Sequence, residues 1–163
     1  ARLDDIEITL SHENGEQQIF LNGENVSKEI RKEEVGKTAS TVAKYGKVRE
    51  KLVSLQQKIA SENDVIMDGR DIGTVVLPNA EVKIYLTASS RVRAERRYKE
   101  LQEKGETCDL DQIEKDIILR DEQDMNREIS PLRQADDAVL VDSSDMSIEE
   151  VVNCLIDIVE KAK

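Results

Sequence analysis

The amino-acid sequence predicts an α/β layer fold with helices flanking a parallel sheet, on three observations. Residues 65–67 (Val-Ile-Met), 82–86 and 138–141 are short apolar runs, the hydrophobicity of strands buried on both faces of a parallel sheet. Stretches of helical periodicity lie between and after these runs, the alternation that α/β folds require. A separate alternating pattern at the N-terminus predicts a small antiparallel unit.

In chain order, Ile6, Ile8 and Leu10 alternate with polar residues, Asn14-Gly15 marks a turn, and Ile19-Phe20-Leu21 follows. This predicts a hairpin ended by Asn22-Gly23. Ser27 is placed to cap a short helix, and residues 33–45 read as a further helical stretch broken at Gly46. From Val48, the positions Leu52, Leu55 and Ile59 recur at helical spacing up to Asn63-Asp64. Beyond the first apolar run, helices are expected over 90–104, closed by Gly105, and over 110–128, broken by Ser130-Pro131. Asp109 with Gln112 comes close to a capping box, and Ser147 with Glu150 fits one. The last helix is expected to bury Ile148, Val151, Val152, Leu155 and Ile158. No repeat or low-complexity segment competes with this arrangement.

Composition narrows the function. The 163 residues suit one domain with room for a small inserted subdomain. With no Trp, one Phe and three Tyr, the core must be aliphatic, and base recognition by aromatic stacking platforms is not expected. A formal charge of −11 repels phosphodiester polymers, yet a few convergent arginines can reverse the local sign for a small anion. Cys108 and Cys154 match no metal-ligand spacing, which predicts free thiols and a reducing, cytoplasmic setting. No signal segment or long apolar run directs the chain to a membrane.

Three groups can carry chemistry. Asp68-Gly69-Arg70-Asp71-Ile72-Gly73-Thr74 follows the first predicted strand, and open parallel sheets bind ligands beyond the carboxyl ends of their strands. Arg suits bidentate capture of phosphate, while Asp can accept from a base amino group or a metal's water shell. A polar turn with a local ion pair is the alternative. Arg120, Asp124 and Arg127 lie at i, i+4 and i+7 and are expected on one helix face, as a phosphate site or as a surface salt-bridge ladder. Arg91, Arg93, Arg96 and Arg97 crowd seven residues of an acidic chain; a solvated helix face is the competing explanation. His12 has no second His near it, and Ser143-Ser144 has no base pattern that would make a nucleophile.

These segments resemble bacterial-type cytidylate kinases. The run Asp-Gly-Arg-Asp-Ile-Gly-Thr-Val-Val-Leu-Pro over 68–78 carries the resemblance most specifically. Glu34-Val-Gly-Lys-Thr-Ala-Ser-Thr-Val-Ala, Val48-Arg-Glu-Lys-Leu, Arg96-Arg97-Tyr98-Lys99-Glu100-Leu101, Arg120-Asp121 and Asp124 with Asn126-Arg127 continue it in family order. The resemblance implies a P-loop kinase-like parallel sheet flanked by helices, with an antiparallel NMP-binding insert (1–46) and the remaining kinase core (47–163) with a helical lid at about 88–108. It implies transfer of the γ-phosphoryl group of ATP to CMP and dCMP, with Mg²⁺, by a cytoplasmic monomer without nucleic-acid or membrane partners. By similarity, Ser40, Arg49 and Asp71 read cytosine; Arg70 and Arg120 hold the substrate phosphate; and Arg127 stands beside the transferring group. Asp124 meets the ribose hydroxyls, Arg96 and Arg97 belong to the lid over ATP, and Asp68 is a carboxylate for the metal's water shell.

One departure from the family pattern is large. No G-x-x-x-x-G-K-[ST] loop occurs: Gly36-Lys37 and Gly46-Lys47 lack the preceding Gly and strand. Ala1-Arg2-Leu3-Asp4-Asp5 reads like the middle of a protein, and the chain begins about where the family's insert begins. The expectation is a piece lacking the ATP phosphate cradle, inactive by itself, with a gap where the P-loop strand would lie between 65–67 and 82–86. Rival readings are a kinase for another nucleoside monophosphate, and a non-catalytic module that binds pyrimidine nucleotides.

Overall fold

A computed structural model describes residues 3–43 and 45–162, apart from the side chains of Asp4, Glu33, Lys37 and Ser40. The chain divides into two compact units, Ala1–Ile66 and Met67–Lys163.

In the first unit, β1 (Ile8–Glu13) and β2 (Glu16–Leu21) pair antiparallel, with Leu10 opposite Ile19 and Ile8 opposite Leu21. Asn14 and Gly15 both take left-handed φ (54° and 81°), the two-residue turn whose twist matches the strands. Asn22 and Gly23 repeat this geometry (φ 51° and 83°). They therefore do not end the unit but turn it into a two-residue third strand, β3 (Glu24–Asn25). Ser27 does not cap a helix. Its hydroxyl accepts from the Ile19 amide at 2.8 Å and donates to Asn25 Oδ1 at 2.7 Å, tying the strand exit to the sheet. The helices α1 (Glu33–Val42) and α2 (Gly46–Glu62) follow. They line an apolar hollow of about 690 Å³ with Ile8 and Leu21 of the hairpin.

In the second unit, β4 (Ile84–Thr87) and β5 (Val139–Asp142) pair parallel, Ile84 opposite Val139 and Thr87 opposite Asp142. Mutual pairing sets their bounds one or two residues later than the apolar runs suggest. The run at 65–67 is not a strand: it pairs with no other strand among the described residues, and Ile66 is fully exposed. Hydrophobicity makes a segment strand-like, but only a neighbouring ladder makes it a strand, and no described residue supplies one.

Helices α3 (Ser90–Glu103) and α4 (Leu110–Met125) pack together. Ser89 caps α3 through the Val92 amide, and Gly105 at φ 76° closes it. Asp109 caps α4 by accepting from the Gln112 amide at 2.7 Å. α4 stops at Met125 rather than 128, because Asn126 turns its side-chain amide back onto the Glu122 carbonyl. In α5 (Ile148–Lys161), Ser147 and Glu150 form the reciprocal capping box that the sequence predicts. Its apolar stripe is only partly covered: Val151, Leu155 and Ile158 are half-buried, whereas Ile148 and Val152 are exposed. Among the described residues the buried apolar ones are Val76, Ala88, Ala94 and Val141, all aliphatic and all in this unit.

Candidate active site

The segment that carries Arg70 and Asp71 is held by backbone and by sterics. A side chain at Gly69 would put its Cβ 2.9 Å from Ile72 Cγ1, so any other residue there would crowd Ile72. Ile72–Val76 then forms a single π-helical turn, in which the Asp71 carbonyl accepts from the Val75 amide at 2.9 Å and the Leu77 amide donates to Ile72 at 2.7 Å. Such wide turns recur at functional sites because they aim side chains that a regular helix would not. Val76 at its end is buried, as is Asp71 at its start. The sequence gives no signal for this turn, since a π-turn has no residue pattern of its own.

Lys83 clamps the turn from below. Its stem packs 3.4 Å from the position of a Gly73 Cβ, and its ammonium bonds both oxygens of Asp137 (2.7 and 2.9 Å) and the Pro78 carbonyl. The Lys83 ammonium holds the Asp137 carboxyl below its ordinary range.

Arg70 meets α4 across 54 residues of sequence. Its Nε donates to Asp124 Oδ2 at 2.9 Å, and the guanidinium of Arg127 donates to Asp124 Oδ1. Asp124 is 1% exposed; the side chain of Arg70 is 42% exposed and that of Arg127 14%. A buried carboxylate thus carries two arginines that approach from different elements. Arg120 does not join them. It is exposed and forms no ion pair among the described residues, so the expected ladder along one helix face is replaced by a cluster reaching past the helix end.

The crowded arginines of α3 have separate partners. Arg91 pairs with Glu95, Asp111 and Glu114, and the hydrogen bonds to Glu114 and then Asp111 raise its already high pKa. Arg93 grips Asp121 through both terminal nitrogens (3.1 and 2.5 Å) and donates from Nε to the Ala88 carbonyl, locking α3 to α4. The sequence quotes Asp121 beside Arg120, but only the fold shows what it holds. Arg96 crosses to the turn after β5, donating to the Ser143 carbonyl at 2.5 Å, Ser143 Oγ at 3.3 Å and the Met146 carbonyl at 3.3 Å. Arg97 pairs with Glu100 at 2.8 Å.

Asp68 is exposed and makes no hydrogen bond among the described residues. Ser40 lies in α1, its side chain outside the described residues, and Arg49 sits in the first turns of α2; both belong to the first unit. Cys108 and Cys154 are free thiols. Among the described residues no three His, Cys, Asp or Glu side chains gather as a metal-holding group, and no helix is long and apolar enough to cross a membrane.

The cytidylate kinase family profile matches residues 1–161. A cytidylate kinase of Lactobacillus johnsonii is 49% identical over 159 residues, covering 98% of this chain and 69% of that protein. One from Caldicellulosiruptor bescii is 50% identical over 157 residues, covering 96% and 69%. One from Thermosipho africanus is 51% identical over 157 residues, covering 96% and 70%. With a buried carboxylate joining two arginines beside a glycine-dependent turn, and likeness at this level along nearly its whole length, the chain belongs to the cytidylate kinase family.

Proposed function

We propose that the protein transfers the γ-phosphoryl group of ATP to the phosphate of CMP, and of dCMP, giving CDP or dCDP and ADP. The observation that carries this reading within the family is the Arg70–Asp124–Arg127 cluster. Its net charge is positive in a chain of formal charge −11, and the Arg70 guanidinium keeps its outer nitrogens for a ligand. Arginines around a transferring phosphoryl group neutralise charge that spreads over its oxygens, which is most of what such catalysis requires.

In this reading Arg70 and Arg120 hold the substrate phosphate and Arg127 flanks the transferring group. Ser40, Arg49 and Asp71 recognise the cytosine edge, and Asp124 lies at the ribose end. Arg96 and Arg97 act in the lid over ATP, for which Arg96 must first leave the carbonyls of Ser143 and Met146. Mg²⁺ brought with ATP would supply neutralisation of the phosphate charge. The described residues form no all-protein cage, and the exposed Asp68 suits contact through the ion's water shell. We further propose residues 1–46 as the monophosphate-binding part and 47–163 as the kinase core with its lid, in a monomeric cytoplasmic enzyme.

The test is a coupled ADP-release assay on the protein as its gene encodes it, with CMP, dCMP, UMP and AMP as acceptors. Turnover of CMP and dCMP well above the other two is expected. Equal turnover of all four would make it a kinase for other nucleotides, and CMP binding without ADP release would make it a binding module.

A further inference from the structure

Asp124 has two properties that a residue serving only as a ribose ligand does not need. It is 1% exposed, and its two carboxylate oxygens are already engaged, one by Arg70 and the other by Arg127. Its backbone takes part as well: the Asp124 carbonyl accepts from the Leu132 amide at 2.8 Å, while its side chain holds Arg127. The segment 127–132, which includes Ser130 at φ 52°, is therefore fastened at both ends to one residue.

Guanidinium groups on flexible stems lose rotamer freedom when they grip a ligand, and a fixed partner removes that loss beforehand. The Asp124–Arg70 bond uses Nε, which leaves the two terminal nitrogens of Arg70 to form a fork. We propose that Asp124 is a positioning residue: it sets the angle of Arg70 and Arg127 before the nucleotide arrives, and this is its main contribution to turnover. The proposal rests on the kinase reading above.

The experiment is a mutant cycle in the protein as its gene encodes it, with CMP, dCMP and 2′,3′-dideoxy-CMP as acceptors. Asn keeps the shape of Asp124 but sets an amide donor against one arginine. Asp124→Asn should lower kcat/KM by about 10- to 150-fold, the change expected for one charge-assisted hydrogen bond. The loss should be the same, within about threefold, for all three acceptors, and mostly absent in an Arg70→Ala/Arg127→Ala background, where no arginine remains to be positioned. A loss that shrinks as the ribose hydroxyls are removed, or that persists in full without the arginines, overturns the proposal in favour of direct ribose contact. Should the Asn variant fail to fold, the ligand-free wild-type protein decides by ¹⁵N NMR. A slowly exchanging Arg70 Nε–H resonance supports the proposal, and its exchange at the rate of a free arginine overturns it. Failure of the wild-type protein to phosphorylate CMP would instead refute the kinase reading and leave the NMR result standing on its own.

Discussion

An added Cβ at Gly69 would stand 2.9 Å from Ile72 Cγ1 and 3.1 Å from its Cδ1, so space rather than φ excludes a side chain there. Gly69→Ala should cost about 1–3 kcal/mol by overpacking, read as a lower urea midpoint, and it should displace Arg70 and reduce turnover as well. A variant of unchanged stability and activity would show the turn to be adaptable. The phosphate-site arginines should separate by environment. Arg120→Ala, at an exposed position with no ion pair among the described residues, should lower kcat/KM by orders of magnitude while stability moves by less than about 0.5 kcal/mol. Arg127→Ala should reduce both, because it leaves Asp124 buried with one partner fewer. If both variants lose stability alone and keep activity within about twofold, the arginines are structural.

At the level of elements, the caps behave as local sequence dictates and the linkages between elements do not. Ser147→Ala removes one half of the α5 capping box and should cost about 1 kcal/mol by thermal denaturation; no change would mean that α5 is held by other contacts. The Lys83–Asp137 clamp joins the 72–78 turn to the approach of β5. Its carboxyl is held below the ordinary value, so the unfolded chain binds more protons than the folded one as pH falls past the normal Asp range near about 4. The clamp's contribution is thus complete above that range and fades as pH drops through the lower folded value. Asp137→Asn should flatten the acid limb of the stability curve below about pH 4, with its largest deficit at neutral pH. An acid limb identical to wild type would place the clamp outside the stability of the fold.

For the whole molecule, the charge of −11 opposes polyanions while the arginine cluster admits small ones. Single-stranded oligonucleotides should therefore show no retention in filter binding at about 150 mM salt, whereas calorimetry detects CMP under the same conditions. Retention of the oligonucleotide would indicate a basic surface that the summed charge conceals.

The sequence by itself determined the α/β class, the Asn-Gly hairpin, the caps at Asp109 and Ser147, and the family, through the specific run at 68–78. Each of these is a local matter of turn chemistry, capping geometry, periodicity or motif. It also singled out Arg70 in one group and Asp124 with Arg127 in another, the latter two on one helix face as a phosphate site or a surface salt-bridge ladder. Tertiary structure alone decided that Asp124 is buried between the two arginines, that Arg93 serves Asp121 and that Arg96 spans to Ser143. It likewise decided that 65–67 is no strand while 84–87 is. The β4–β5 ladder and the Arg70–Asp124 pair join residues about 55 positions apart, and their energy depends on a meeting in space that no local pattern encodes.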